Sequence, residues 1–357
     1  MAGREAGRNV APVSRRQVFG AGALAAVVTL VGACGSGGRS AARSSTATTG
    51  ALPAPASRST SSTSAGSSLR PTAAPPTSVV ASPTPAQPCG VGAGPPPVYD
   101  HVVWIWMENH TYSQVIDNGR APYASSLAHQ CGTVTRYSTV GSPSLPNYVG
   151  ATSGSTQGIT DDAAPSAHPV ATDNLFRQVR AAGGTERSYE ESMPGPCALA
   201  SSGRYAVKHN PAAYYVGPTD RQACVADNLP LGGAQGGALA ADLASGSLPS
   251  FSFVTPDLCN DSHDCSVGTG DAWLQQWLPR IFASPAYKSG RTAIFVVWDE
   301  YTPVPNIVIS PTTAPGSVSA VAVDHYSLLR TTEEMLGIPS HLGRAGAAPS
   351  LRAAFHL

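Results

Sequence analysis

A long segment near the start of the chain lacks acidic side chains. Residues 35–97 contain no Asp or Glu and consist mostly of Ser, Thr, Ala, Pro and Gly. A segment of this composition cannot bury enough apolar surface to offset the entropy of ordering it. We therefore expect residues 34–97 to form a disordered, flexible to semi-extended tether that precedes the folded part of the chain.

Long hydrophobic runs are also missing. The uncharged stretch at residues 18–33 is too short and too rich in Ala and Gly for a typical transmembrane helix. It follows Arg15 and Arg16, an arrangement that resembles a bacterial twin-arginine export signal. The sequence Val-Gly-Ala-Cys34 then resembles a lipoprotein cleavage box, with Cys34 as the lipidated first residue of the mature chain. We predict an export signal over residues 1–33; the alternative to a lipoprotein is a plain signal peptide with an unrelated cysteine.

The chain has no net charge, but its two parts differ. Residues 1–99 carry eight Arg and one Glu, so the remainder of this neutral chain has a net charge of about −7. An acidic, exported domain argues against nucleic acid as a partner. An excess of carboxylates suits metal binding, although a solvated acidic surface is an alternative. We expect a domain over residues 98–357, on the outer face of the bacterial cell membrane or secreted.

The cysteines do not have the spacing of a zinc knuckle. Six remain when Cys34 is set aside, and an even number in an exported domain indicates disulfides. Six cysteines allow fifteen connectivities. We favour the short loops Cys197–Cys224 and Cys259–Cys265, which leaves Cys89–Cys131.

Buried strands and helices alternate along the rest of the chain. Strand-like apolar runs lie at residues 102–107, 133–140, 251–254, 293–298 and 306–309. Helical patterns lie at residues 123–129, 174–182, 238–244, 271–282 and 326–336. This alternation predicts an α/β domain with a mainly parallel sheet and helices on both faces. Residues 186–230 have no clear pattern, and we expect a cap or a set of loops there.

Polar residues directly follow two of the predicted strands. Glu108 and Asn109 come after residues 102–107, and Asp299 and Glu300 come after residues 293–298. Ligands in open α/β sheets bind outside the carboxyl ends of the strands. Two adjacent carboxylates there would repel each other unless a cation or an arginine lies between them. For Asp299 and Glu300 the alternative is an exposed turn.

A hydroxyl lies at a predicted junction between strand and helix. Pro146 suits the first turn of a helix, which puts Ser144 beside the positive end of the helix dipole. Ser144 is therefore a candidate nucleophile, and Asn147 a candidate donor to a phosphate oxygen. The alternative is that Ser144 only caps the helix.

Other candidates come from loops. The sequence PDLCNDSHDC brings together Asp257, Asp261 and His263, which are suitable ligands for zinc, manganese or iron, or simply part of a polar surface loop. His209 is a candidate for substrate binding or proton donation, with a turn histidine as the alternative. His325, at the start of the last predicted helix, is a further candidate ligand.

In their order along the chain these clusters resemble the alkaline-phosphatase superfamily. More closely, the segments ENHTY, SLPNY, YEESMP, KHNP, PDLCNDSHD, GDAWL, WDE and DHYSLLRTTEEMLG resemble the bacterial phosphoesterase family. That family includes secreted acid phosphatases, phosphatidylinositol phosphatases and phospholipases C. The resemblance extends from about residue 99 to residue 339, which is nearly all of the predicted folded part.

The resemblance implies roles for residues by position. Glu108 and Asn109 match the first-strand metal ligands, and Ser144 matches the nucleophile. Asp299 and Glu300 match the later ligand pair. The histidines of the opposite site match His263 and His325, and Asp257 and Asp261 compete for one further role. Glu-Asn stands where alkaline phosphatases have Asp, and Asp-Glu where they have Asp-His.

The implied function is metal-dependent hydrolysis of phosphate monoesters through a phosphoserine. Divalent ions that fit are Zn, Mg, Mn, Ca or Fe, with one ion or two; the oxygen-rich ligand set weakens the case for zinc. The substrate is a phosphate ester, with a phospholipid head group as one option, and we expect a monomer. The alternatives are a phosphodiesterase of phospholipase C type and a tethered binding lipoprotein without turnover.

Overall fold

The computed structural model describes residues 87–357. The predicted export signal, the predicted lipid anchor at Cys34 and most of the predicted tether lie outside these residues. No helix within the described residues is long and apolar enough to cross a membrane.

Strands and helices alternate through most of this region, as predicted. The strands are β1 His101–Met107, β2 Gly132–Val134, β3 Tyr137–Ser138, β4 Glu186–Glu190, β5 Asn228–Pro230, β6 Phe251–Thr255, β7 Thr292–Trp298, β8 Asn306–Ile309, β9 Ser317–Ser319 and β10 Val323–Asp324. The α-helices are α1 Tyr112–Val115, α2 Pro122–Gln130, α3 Ser144–Ser153, α4 Leu175–Ala181, α5 Asp220–Asp227, α6 Ala238–Ser245, α7 Val267–Ala283, α8 Pro285–Lys288, α9 His325–Met335 and α10 Arg352–Phe355. Short 3₁₀ turns lie at Val207–His209, Pro211–Ala213 and Gly343–Ala347.

The main sheet confirms the predicted α/β class. Its eight strands have the order β5-β4-β6-β1-β7-β8-β2-β9, and β3 pairs with β10 in a second, two-stranded sheet. All neighbours in the main sheet are parallel except β8, which is antiparallel to both β7 and β2. Helix α2 packs against α7, and α3 packs against α9.

Strands β1 and β7 form the centre of the sheet. Six of the seven residues of β1, and all seven of β7, are buried, as expected of strands covered on both faces. The two strands are parallel and in register to their last residues, with Met107 opposite Trp298. Because both strands end at the same level, Glu108 and Asp299 emerge side by side at the carboxyl edge.

One predicted strand is divided in the structure. Residues 133–140 were expected to form a single strand, but β2 pairs with β8 and β9, whereas β3 pairs with β10. Between them, Thr135 donates to the carbonyl oxygen of Ser319, and the carbonyl oxygen of Arg136 accepts from Val323. The two halves have different partners, which the apolar pattern alone does not reveal.

The region predicted as a cap or loops contributes to the sheet. Strands β4 and β5 both come from residues 186–230, and β4 pairs in parallel with β6 over all five of its residues. Its sequence ERSYE has no apolar run, although Ser188, Tyr189 and Glu190 are all buried. Pairing with β6 forms β4 despite its polar sequence, so the prediction of loops was wrong for β4, α5 and β5; residues 191–219 between them consist of loops and short 3₁₀ turns.

The three favoured disulfides are confirmed. Cys89 is bonded to Cys131, Cys197 to Cys224 and Cys259 to Cys265. Cys89 falls within the segment assigned to the tether, and it is fully buried. The first disulfide therefore fixes the chain just before β1 to the end of α2.

Helix α3 ends at a position that requires glycine. Gly154 has a φ of 73°, and a Cβ there would lie 2.1 Å from the carbonyl oxygen of Leu342. Gly158 has a similar φ of 74° but no atom within 4 Å of such a Cβ. The two glycines share the left-handed backbone and differ in the space around them.

We expect Gly154→Ala to lower the free energy of unfolding by about 2–4 kcal/mol, because it adds a steric clash to the cost of the left-handed backbone. The matched control Gly158→Ala should cost only about 1 kcal/mol. Denaturant unfolding of the purified variants measures both values. Equal losses would contradict the close approach of α3 to Leu342.

Candidate active site

Two strand ends form one wall of the candidate site. The Asp299 N–H donates to the carbonyl oxygen of Met107 (3.0 Å), and the Asn109 N–H donates to Oδ1 of Asp299 (3.2 Å). Asn109 has a φ of 54°, a left-handed conformation that Asn adopts more readily than most residues. These bonds continue the pairing of β1 and β7 past the last strand residues. They hold Glu108, Asn109 and Asp299 together.

The candidate nucleophile lies against this wall. Ser144 is the first residue of α3, and its Oγ donates to Oε2 of Glu108 (3.2 Å). One turn further on, the Tyr148 hydroxyl donates to Oε1 of the same carboxylate. Both Ser144 and Glu108 are buried. Helix α3 thus orients Glu108 with two hydroxyl groups.

The loop after β6 supplies the opposite wall. The carbonyl oxygen of Asp261 accepts from the Glu108 N–H (2.9 Å). The His209 ring lies between the two carboxylates, with Nε2 3.1 Å from Oε1 of Glu108 and Nδ1 3.3 Å from Oδ2 of Asp261. This ring stacks on Tyr148 with centroids 5.2 Å apart, and His263 lies beyond it at 5.7 Å. Asp261 and His263 both lie within the loop that the disulfide Cys259–Cys265 closes.

Several buried polar atoms of this cluster have no hydrogen-bond partner within the described residues. They are Oδ1 of Asn109, Oδ2 of Asp299 and Oε1 of Glu300, together with Nε2 of His209 and Oδ2 of Asp261, whose close contacts are not aligned as hydrogen bonds. Such atoms are rare in folded proteins, and a group of them at one place is suited to binding a ligand.

The donors in this cluster fit a divalent cation. One ligand atom from each of Glu108, His209 and His263 lies within 4.8 Å of the other two. Carboxylate and amide oxygens suit Mg, Ca and Mn, whereas imidazole nitrogens also admit Zn and Fe. The residues present therefore fit the predicted metal without fixing its identity.

The acids of the site have raised pKa values. Burial, followed by the charges of Asp299 and Asp261, raises the pKa of Glu108 well above its usual value. Burial is also the main cause that raises the pKa of Asp261 to about 8, of Glu300 to about 7 and of Asp299 to about 6. A cation between these groups would favour their ionised forms and reverse these shifts.

Asn147 lies close to Ser144 in the sequence, but both polar atoms of its side-chain amide form hydrogen bonds with backbone groups. Its Oδ1 accepts from the N–H groups of Val140 (3.0 Å) and Gly141 (2.8 Å). Its Nδ2 donates to the carbonyl oxygens of Gly141 (3.0 Å) and Pro143 (3.4 Å). All of these bonds hold the loop before α3. In this structure Asn147 supports the loop that carries Ser144, and its role as a phosphate donor stays a prediction.

His325 also takes a supporting position. Its Nε2 donates to the carbonyl oxygen of Asp299 (2.8 Å), and its Nδ1 accepts from the Tyr137 hydroxyl (3.1 Å). Burial lowers the pKa of His325 to about 4, so the ring is neutral. With both nitrogens bonded to protein groups, His325 orients the end of β7 in this structure, and its role as a metal ligand stays a prediction.

Asp257 and Asp261, which compete for one predicted role, differ in the groups that they contact. Asp257 accepts from the N–H groups of Cys259 and Asn260 (3.1 Å each) and from the Ser192 hydroxyl (2.8 Å). These bonds stabilise the turn of the loop. Asp261, in contrast, contacts His209, so we retain Asp261 and not Asp257 as a site residue.

Three residues near the site were not among the sequence-based candidates. Tyr148 bonds Glu108, and Lys208 bonds Asp162, which in turn accepts from the Leu145 N–H. The signal for Tyr148 was its place four residues after Ser144, which puts both on one face of a helix. Lys208 directly precedes His209 in KHNP. Asp162 lies in a loop with no pattern that would identify it.

Comparison with known proteins gives consistent results. The model of the family described as "Phosphoesterase family" matches residues 114–303. The phosphatidylinositol-3-phosphatase of Mycobacterium tuberculosis is 30% identical over 261 residues, which are 71% of this chain and 82% of that protein. The phosphate-repressible acid phosphatase of Penicillium chrysogenum is 27% identical, over 69% of this chain and 61% of that protein. A protein in the alkaline phosphatase superfamily from Vibrio parahaemolyticus has a TM-score of 0.47 and 14% identity, covering 76% of this chain and 73% of its own.

We expect the cation-free protein to lose stability as the pH rises. The site carboxyls of the folded chain titrate at about 6, 7 and 8, whereas those of the unfolded chain titrate near 4. The folded state therefore holds more protons between these values, and its stability is highest below them. With a chelator present, the free energy of unfolding should fall by roughly 2 kcal/mol or more between pH 5 and pH 7.

Thermal and denaturant unfolding in chelator and in added Mg, Ca, Mn or Zn measure this effect. A cation that fits the site should flatten the pH dependence, because it replaces the protons. Asp299→Asn should also flatten it in the chelator, since one repelling carboxylate is removed. A profile in chelator that does not change between pH 5 and pH 7 would contradict the crowding of the acids.

Proposed function

The chain belongs to the phosphoesterase family and is a phosphoric ester hydrolase, and we propose that it hydrolyses phosphate monoesters through a phosphoserine formed at Ser144. The observation that carries this proposal is the position of Ser144. Its buried hydroxyl starts a helix and bonds to Glu108, within a cluster of acids that have unpaired oxygens.

We propose further that the reaction requires a divalent metal. Glu108, Asn109, Asp299 and Glu300 would hold it beside Ser144, and the unpaired oxygens of Asn109, Asp299 and Glu300 support this assignment. When bound, the cation would lower the pKa of the Ser144 hydroxyl and neutralise charge on the phosphoryl oxygens.

The side chains of the site suit an in-line displacement. Glu108 accepts the hydrogen bond of Ser144, orients Oγ for attack on phosphorus and takes up its proton. As the Oγ–phosphorus bond forms, the bond from phosphorus to the alcohol oxygen breaks. His263 is outside the proposed set of metal ligands and is half-buried at the edge of the site, where its ring can give a proton to the departing alcohol. Water then attacks the phosphoserine and gives a proton to His263, the bond from phosphorus to Oγ breaks, Oγ regains the proton from Glu108, and inorganic phosphate is released.

The relatives guide the choice of substrate. One is a phosphatidylinositol-3-phosphatase and another an acid phosphatase, and both names describe removal of phosphate from monoesters. We therefore propose small phosphomonoesters and phosphoinositide head groups as substrates. The three disulfides support an oxidising compartment, in keeping with export and with an anchor at Cys34.

Ser144→Ala should lower turnover of a chromogenic phosphomonoester by at least roughly a thousandfold, because no other hydroxyl replaces the nucleophile. Ser142→Ala is the matched control: Ser142 lies two residues earlier and is exposed, so its activity should equal that of the wild type. Steady-state kinetics, with thermal unfolding to verify the fold, measure both. Acid quenching followed by mass spectrometry should find phosphate on Ser144 in the wild type. Full activity of Ser144→Ala would remove the nucleophile from the proposal.

Phosphomonoesters should be hydrolysed at least roughly a hundredfold more efficiently than diesters, since a monoester dianion gains more from a cationic site. The comparison uses kcat/KM for a chromogenic monoester, phosphatidylinositol 3-phosphate and phosphatidylcholine. Preferred cleavage of phosphatidylcholine to diacylglycerol would instead establish a phosphodiesterase of phospholipase C type. Binding of all three without turnover would indicate a binding protein.

A further inference from the structure

A single lysine stands at the edge of the acidic site. The sequence contains only two lysines, Lys208 and Lys288. Lys208 lies in the 3₁₀ turn Val207–His209, directly before the histidine that contacts Glu108. Its Nζ is 2.9 Å from Oδ2 of Asp162 and 3.5 Å from Nε2 of His263. Lys208 is half-buried, so its ammonium group remains partly open to solvent and to a substrate.

Lys208 is a positively charged side chain that the fold places at this site. Within residues 87–357, no other Lys or Arg forms a hydrogen bond or ion pair with Glu108, Asp261, His263, Asp299 or Glu300. The ion pair with Asp162 holds the ammonium group of Lys208 at the rim of this group of carboxylates.

Asp162 fixes this cation relative to the nucleophile. Its Oδ2 accepts from Lys208, and its Oδ1 accepts from the Leu145 N–H (3.0 Å), the first amide after Ser144. The carboxylate thus connects the lysine to the start of α3. Asp162 is a positioning residue that keeps Lys208 facing the side of the site where Ser144 begins α3.

We propose that Lys208 is a substrate-binding residue that contacts a non-bridging phosphoryl oxygen and selects phosphate monoesters over diesters. This inference rests on the proposed function. A phosphate monoester carries nearly two negative charges at neutral pH, whereas a diester carries one. A lysine ammonium is a compact point charge that binds phosphate. Lys208 therefore binds a monoester more strongly than a diester, because the monoester carries a second negative charge.

The test compares three variants, Lys208→Met, Lys208→Arg and the matched control Lys288→Met. Lys288 is the other lysine, is exposed and lies in α8. The measurements are kcat/KM for a chromogenic phosphomonoester and a chromogenic phosphodiester, and the competitive inhibition constant of inorganic phosphate. Thermal unfolding and the affinity for the activating cation verify that each variant keeps its fold and its metal.

Lys208→Met should lower kcat/KM for the monoester at least about thirtyfold and that for the diester less than about threefold, and it should weaken inhibition by phosphate about tenfold. Lys208→Arg should recover part of the monoester activity, because it restores the charge with a different geometry. Lys288→Met should match the wild type in every measurement. Where diester turnover is too slow to measure, calorimetric titration with inorganic phosphate and dimethyl phosphate replaces it.

An equal loss for monoester and diester, or an unchanged inhibition constant for phosphate, would overturn the role of Lys208. Failure of the proposed function has a different signature, because the wild type would then turn over no phosphate monoester. In that case the calorimetric titration still compares phosphate binding by the wild type and by Lys208→Met. Equal affinities there would overturn the inference on its own.

Discussion

The site depends on like charges being held together. Strands β1 and β7 end at the same level, and backbone bonds from Asp299 to Met107 and from Asn109 to Asp299 keep their terminal acids adjacent. Carboxylates this close and this buried repel strongly unless protons or a cation intervene. The acids follow apolar strands that are buried in the middle of the sheet, and the burial of these strands offsets the free-energy cost of the repulsion. Nearly every other feature of the site accommodates this concentration of negative charge.

Helix α3 illustrates that accommodation. All ten of its residues are buried, and it presents two hydroxyls, from Ser144 and Tyr148, to the same carboxylate. Around this pair, neutral groups set positions: Asn147 holds the loop before the helix, and His325 holds the end of β7. A polar residue beside an active site thus need not act on the substrate. Residues that touch the reacting groups and residues that only place them look alike in a sequence, because both are polar, but their hydrogen bonds differ.

This difference explains what the sequence could predict. The strands at residues 102–107 and 293–298 and the acids that follow them were predicted correctly, because continuous apolar runs ending in polar residues are local signals. The single strand over residues 133–140 was wrong, and so was the expectation of loops where β4 lies, because β3 and β4 are defined by partners far along the chain. The same reason applies to the site. Ser144 follows from a local motif, whereas the bonds that occupy His325 and connect Asp162 to Lys208 join segments that only the fold brings together.

The disulfide Cys259–Cys265 spans six positions of the chain and encloses Asp261 and His263. A covalent ring this small persists when an oxidised chain unfolds, so it limits the backbone conformations of these residues in the unfolded state as well. Part of the entropy of ordering the loop that carries Asp261 and His263 is therefore lost before folding begins. Reduction would leave the sheet and the acids on β1 and β7 in place but would let this wall of the site sample more conformations. The covalent bond is then a component of the site, since it determines how much of one wall remains to be ordered by folding.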